Sequence, residues 1–448
     1  MSEEDDRPNK QIEPIHLDIG VPVTDQIRSG KAVWVTIREL GKGAFGTVYH
    51  VVNKANKHEA ALKIETKTAG DNLLKIEREI MYALKDEPSA IHVFDDGVFG
   101  DYRFIVMTLC GLDLEKVFIA MNGKFRQETV LRVAIRTLLA IKILHEAEYV
   151  HRDLKPCNFA LDYQPTSHNI YLFDYGMARK YARKEKHGYM LRRPRVIAQF
   201  RGTIQYCSLN MHKLKELGRV DDLWSWLFMA AEMVVPLPWN KVQRADLAEF
   251  RKEDRLKDYF SNDPFLASAF QPIYHLLGTY DFPDRPDYAK IFDLLHTKLK
   301  EIGGTLTGPM EYDAIRLSPK QDEEIKSTMK SLHLNPREPP KVDGEQTVYK
   351  KLTVEFNKPG VPGGQRLLMP EAADFFGNLK IAEERTDEMP KKKPIKEGKE
   401  PQSNLDAKKT RAKMLPGSTK PSTTGAQGAS ARSNLASKLA KKGKTGKK

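Results

Sequence analysis

The sequence predicts an α+β fold in two lobes, a small β-rich lobe followed by a larger helical one, with a disordered basic tail behind them. Three features carry that expectation. From Val33 the chain runs in short alternating stretches, VWVTIREL, TVYHVV and EAALKIE, which have the period of two and the β-branched content of strands. Beyond Gly111 the patterns turn helical and stay so to residue 301. From Pro390 onward Lys, Ser, Thr, Gly and Ala dominate and aromatics vanish, a composition that cannot bury enough surface to offset its ordering entropy.

The elements follow in order. Residues 1–32 read as a flexible lead-in. Three strands come next, then LLKIEREIMYAL (73–84), whose Leu73, Ile76, Ile80 and Leu84 fall on one helical stripe. IHVFDDGVF and YRFIVMTLC form a strand pair turning near Gly100. VLRVAIRTLLAIKILHEA (130–147) is apolar over too wide an arc for a surface helix and should be buried. LWSWLFMAAEMVV (223–235) contains Glu232 and runs into Pro236, so it is too short for a span of about 20 residues and reads as a core helix. Four segments result: the lead-in, a domain over 33–301, a partly ordered extension over 302–389, and a Lys-rich tail over 390–448.

The net charge of +13 suggests nucleic acid or membrane until it is located. Residues 391–448 hold 17 lysines and arginines against three acids, so the rest of the chain is close to neutral. Within the tail, KKKPIK resembles a nuclear import signal, and KKGKTGKK suits an acidic partner such as a microtubule, nucleic acid or lipid surface. A solubilising linker is the plainer reading. Cys110, Cys157 and Cys207 are too few and too scattered for a disulfide framework or zinc site, which points to a reducing compartment. The acidic MSEEDDRPNK has no character of a secretory signal, so a cytoplasmic, or nuclear, monomer without a transmembrane segment is expected.

Chemistry concentrates in a few strings. GKGAFGTV places Gly41, Gly43, Gly46 and Val48 where backbone amides can approach phosphate oxygens. Dinucleotide folds use the same spacing, but there a helix follows, whereas here TVYHVV continues as a strand. Lys63 ends AALK on the next strand, after Ala61, whose small side chain would leave a flat wall for an adenine ring. Glu77, fourteen residues on, can reach back to pair with that lysine, and Glu79 points elsewhere around its helix. In HRDLKPCNF, Asp153 and Asn158 lie five apart, and Asp174 of DYG follows sixteen further on. Phosphoryl transfer needs a carboxylate to orient the attacking hydroxyl and oxygen ligands for Mg2+. Asp153 suits the first role, Asn158 and Asp174 the second, and Lys155 is placed to neutralise the transferring group.

This series, in this order, resembles the protein kinase superfamily over about residues 33–301, and Lys155 in HRDLKP is the form typical of serine/threonine kinases. FRGTIQYCSLN (200–210), GRVDDLWSW, PLPW and FPDRPDY resemble the casein kinase 1 group, and NFA and RRPR its tau-tubulin kinase branch. The resemblance implies ATP and Mg2+ as cofactors and a Ser/Thr hydroxyl as acceptor. It also implies Met107 at the back of the adenine pocket, Thr108 and Cys110 at the hinge, and Asp222 bracing the catalytic loop. Trp224 and Trp226 read as core, and the thiols of Cys110 and Cys157 as inert. Tyr175 departs from the usual phenylalanine of DFG and needs a partner for its hydroxyl. Between Arg179 and Arg201 nine basic residues face one acid, and Arg192, Arg193 and Arg195 are candidates to bind carboxylate or phosphate on an acidic or prephosphorylated protein substrate. A catalytically silent scaffold on the same fold is the runner-up.

Overall fold

A computed structural model describes residues 16–23, 33–42, 46–66, 73–163, 168–186, 188–313, 315, 319–333 and 343–363. The lysine-rich tail and the segment around EAADFFGNL lie outside these.

The N-terminal lobe is an antiparallel sheet of β1 (Trp34–Lys42), β2 (Gly46–Asn53), β3 (Glu59–Thr66), β4 (Val93–Phe99) and β5 (Tyr102–Thr108), in the order β1-β2-β3-β5-β4. Strand alternation sorts its side chains. Ala60, Leu62 and Ile64 join Tyr49, Val51, Phe104 and Val106 in one buried layer, which leaves Ala61, Lys63 and Glu65 on the opposite face. Gly46 is required where β2 meets β3, because a Cβ there would lie 2.0 Å from the Ile64 carbonyl oxygen. Part of the segment read as a flexible lead-in is docked on this lobe. Leu17 and Val23 are buried against the sheet, and the Leu17 amide donates to the Tyr49 hydroxyl at 3.1 Å.

α1 (Leu73–Ala83) buries Ile80 and Met81 against the main core. After the short β6 (Cys110–Asp113) and α2 (Leu114–Ala120), α3 (Gln127–Glu146) forms the axis of the C-terminal lobe, buried on nearly every face. β7 (Tyr149–Val150), β8 (Phe159–Asp162) and β9 (Ile170–Leu172) flank the HRDLKPCNF and DYG segments. β10 (Arg179–Lys180) pairs with β7, and β11 (Ala182–Glu185) with β12 (Gly188–Leu191).

α4 (Leu209–His212) leads to α5 (Arg219–Glu232), the core helix expected from LWSWLFMAAEMVV, which starts four residues earlier and ends at Glu232. Trp226 is fully buried and donates its indole N–H to Thr137 Oγ1 at 3.0 Å, which ties α5 to α3. α6 (Ala245–Asn262), α7 (Pro264–Ala269), α8 (Gln271–Leu277) and α9 (Tyr288–Glu301) complete the lobe. Among the described residues no helix is long and apolar enough to cross a membrane.

The extension beyond residue 301 adds to both lobes. α10 (Pro319–Ser331) buries Ile325 and Met329 against Ile37 of β1 and Val52 of β2. α11 (Glu345–Asn357) stacks Phe356 on Phe292 of α9, with ring centroids 4.6 Å apart. The chain then places Val361, fully buried, among Val150, Tyr181, Ala182 and Leu191. The buried Arg219 guanidinium donates to the carbonyls of Val361 (2.6 Å) and Pro362 (3.1 Å).

Candidate active site

Lys63 extends from β3 toward α1 and donates to Glu77 Oε2 at 2.8 Å. A second carboxylate, Glu65 Oε1, also stands 2.8 Å away, and the sequence reading did not single it out. Burial pulls the Lys63 pKa down, but Glu77 and Glu65 more than reverse this and hold the ammonium charged well above its ordinary range. Glu79 is exposed, on another side of α1. Val48 lies opposite Lys63, and Ala61 opposite Met107, so these side chains share the sheet face that carries the lysine. Gly41 pairs with Val48 at the β1–β2 turn, and Gly43 at its tip lies outside the described residues. At the hinge, the Thr108 amide donates to the His92 carbonyl at 3.0 Å, so its own carbonyl is the group it can offer a purine. Burial pushes the thiols of Cys110 and Cys157 up to about 12 and about 11, as inert side chains require.

The HRDLKPCNF loop hangs from Asp222. Its carboxylate accepts the amides of His151 (2.6 Å) and Arg152 (2.8 Å) and an N–H of His145 (2.9 Å). Despite complete burial, these donors keep Asp222 below the usual carboxylate range. Arg152 is thereby held at a φ of 70°, a left-handed conformation that a non-glycine residue adopts only under constraint. His151 accepts the Asp153 amide at Nδ1 (3.3 Å), so it is Nε2 that carries the proton donated to the Phe173 carbonyl (3.2 Å). The Tyr175 hydroxyl donates to the Leu172 carbonyl at 2.8 Å, which supplies the partner its burial demands.

The centre of the site is Asp153, itself buried. Lys155 Nζ donates to its Oδ2 at 2.6 Å and Thr203 Oγ1 to its Oδ1 at 2.7 Å. Burial opposes the charge on Lys155, and Asp153 restores it, raising the lysine above its ordinary value. Thr203 lies within FRGTIQYCSLN but was not read as a site residue; the fold alone places it against Asp153. Gly202, at a φ of +92°, makes that approach possible, since a Cβ there would meet the Arg152 carbonyl at 2.6 Å.

Among the described residues, no cluster of three or more histidines, cysteines or carboxylates is placed to hold a metal ion. Asn158 and Asp174 are instead a sparse set of the kind that suits Mg2+, which takes one or two protein oxygens and completes its shell with water and phosphate. Asn158 donates Nδ2 to the Asp153 carbonyl at 2.8 Å, which leaves Oδ1 as its ligating atom. Asp174 is exposed, sits at a φ of 61°, and does not cap the turn that follows it. These two residues fit the ion.

The three arginines proposed for substrate do not behave alike. Arg192 and Arg193 are exposed. Arg195 instead forks onto Glu216, donating from Nη2 to Oε1 at 3.1 Å, and Arg179 pairs with the same carboxylate at 3.3 Å. Glu216, unremarked in the sequence, thus ties Arg195 down. Burial chiefly, and then Arg179, Arg201 and Arg195 nearby, lowers Arg152 to about 10.

A family model for the protein kinase domain matches residues 34–288. The chain belongs to the protein kinase family. This kinase is 34% identical over 269 residues to a Caenorhabditis elegans protein that carries a serine/threonine-protein kinase name, covering 59% of this chain and 77% of that one. It is 30% identical to the C. elegans serine/threonine-protein kinase spe-6 over 62% of this chain and 75% of the relative. It is also 30% identical to a probable serine/threonine-protein kinase of Dictyostelium discoideum over 63% of this chain, and the match spans 57% of that relative's length.

Proposed function

We propose that this kinase transfers the γ-phosphoryl group of ATP to serine or threonine hydroxyls of protein substrates. The observation that carries the reading is the fixed Asp153 carboxylate, bracketed by Lys155 and Thr203. A substrate hydroxyl bonded to Asp153 would be aimed at the γ-phosphorus and would give up its proton as the new O–P bond forms and the bond to the ADP oxygen breaks. Lys155 offsets charge on the transferring group, and Lys63, held by Glu77, orients the phosphates. Bound Mg2+ would neutralise phosphate charge beside Asn158 and Asp174.

The test is radiolabel transfer from Mg-ATP to casein. Asp153→Asn, folded like the wild type, is expected to lose about 10²–10⁴-fold in rate. Absence of transfer by the wild type, with ATP binding retained, would favour the scaffold instead.

The finer reading is a member of the casein kinase 1 group, nearest its tau-tubulin kinase branch, with acidic or prephosphorylated substrates. The group reading rests on the motifs FRGTIQYCSLN, GRVDDLWSW, PLPW, FPDRPDY, NFA and RRPR, and the substrate reading on the crowd of Arg152, Arg179, Arg192, Arg195 and Arg201 near Glu216. A peptide array that selects basic residues near the acceptor would sink it. The tail is read as an electrostatic contact to an acidic partner in cytoplasm or nucleus, and binding by full-length protein that is indifferent to salt would contradict that.

A further inference from the structure

Lys252 lies mid-way along α6, a helix whose sequence ADLAEFRKEDRLKDYFSN reads as a solvated surface element. Its side chain is nevertheless fully buried. No carboxylate among the described residues stands within ion-pair distance of it. Its three protons meet three acceptors: the Cys207 carbonyl at 2.6 Å, the Ile204 carbonyl at 2.7 Å and His212 Nε2 at 3.1 Å. Burial and the Lys252 charge hold His212 down at about 4, so the ring is neutral at pH 7; an ammonium only donates, so the Nε2 that faces it, with the Cys207 thiol 3.3 Å away, is the accepting nitrogen. The Cys207 thiol, 3.6 Å away, and the faces of Phe228 (5.6 Å) and Trp239 (5.8 Å) complete the surroundings.

All three acceptors belong to residues 204–212, the stretch immediately after Thr203. The carbonyl between them is held too, since Trp239 Nε1 donates to Gln205 O at 2.8 Å. The side chains of Gln205 and Tyr206 both donate to Glu232. The loop that carries Thr203 to Asp153 is therefore pinned from beneath along its backbone. A buried ammonium costs several kcal/mol unless its hydrogen bonds are complete, and here two of the three go to that loop's carbonyls and the third to His212 at the end of α4.

We infer that Lys252 is a positioning residue for the protein substrate: it fixes the 204–207 backbone as the platform beside the acceptor and sets substrate affinity without touching the nucleotide. This rests on the kinase reading above. The experiment compares full-length wild type with Lys252→Met, which keeps length and apolar stem but removes every donor. The KM for casein is expected to rise about 10–100-fold, the worth of one or two charge-assisted hydrogen bonds, while the KM for ATP stays within about twofold. Hydrogen exchange of the amides over 203–208 should quicken, with 151–158 unchanged.

Equal change in both KM values, or no change in either, would overturn the inference. Should Lys252→Met not fold, Lys252→Gln, which retains two donors, takes its place, and failure of both to fold would leave Lys252 a purely structural residue. A wild type that phosphorylates nothing would defeat the kinase reading instead, and the exchange measurement would still decide whether Lys252 holds the loop.

Discussion

Lys63 on the nucleotide side of the cleft and Lys252 on the peptide side are held by opposite company. Lys63 is half-buried between two carboxylates on β3 and α1, and they raise its pKa. Lys252 is wholly buried among neutral acceptors, and burial lowers its pKa to about 8. A lysine–carboxylate pair joins two side chains on separate elements, so it can part and re-form as those elements move. An ammonium bonded to backbone carbonyls fixes the chain itself. The nucleotide side is thus built around an ion pair, and the peptide side around a pinned loop.

The sharpest way to break the comparison is at Lys63. Lys63→Met should reduce kcat by about 10²–10³-fold, the scale of losing one preorganised electrostatic donor, and leave the casein KM nearly unchanged. Phosphate transfer at saturating casein checks this, and a rise in the casein KM would show that the two sides are coupled.

The two lysines should also separate by pH. The folded pKa of Lys252, about 8, lies below its ordinary 10.5, so the unfolded chain holds a proton that the folded chain lacks between those values. Stability from this group is therefore gained as pH rises from 8 to 10.5, by up to about 3 kcal/mol. His212, near 4, and the Cys207 thiol, raised by burial, face the same lysine, and His212 does not titrate in that window. Denaturant unfolding at both ends of the window should show wild type gaining on Lys252→Met. Lys63, whose folded pKa is raised, contributes with the opposite sign: its stabilisation is present below its ordinary pKa and lost only above it.

The smallest effect concerns the docking of residues 358–363 against β7, β11 and β12. Val361→Ala removes two methyl groups from a closed cluster with Tyr181 and Leu191 and should cost about 2 kcal/mol. Calorimetry on the full chain should show a fall in Tm of a few degrees. No change would mean that residues 358–363 contribute nothing to the domain.

Much of the nucleotide side was legible in one dimension because its parts are local. The alternation of EAALKIET set Ala61 and Lys63 on one face, and the stripe of α1 turned Glu77 toward it. HRDLKPCNF carries Asp153, Lys155 and Asn158 within one loop, so their spacing already implied proximity. The peptide side was harder to read. Thr203 reaches Asp153 from fifty residues away, Glu216 claims Arg195 across twenty-one, and Lys252 meets Cys207 across forty-five. None of these pairs leaves a periodic or short-range signal.

The extension was ambiguous for a related reason. YKKLTVEF has apolar content that suits packing on the domain or a short element without fixing which, and packing of Phe356 on Phe292 belongs to α11 only once the core exists. By itself, then, the sequence determined the order of the lobes, the strand and helix periods, and the chemistry of the Asp153 loop, all of which depend on neighbours along the chain. Only the tertiary structure decided which lysine is buried, which arginine is spent and where residues 358–363 dock. Those outcomes depend on what each side chain meets across the fold, and burial sets whether a charge is solvated, paired or committed to the backbone.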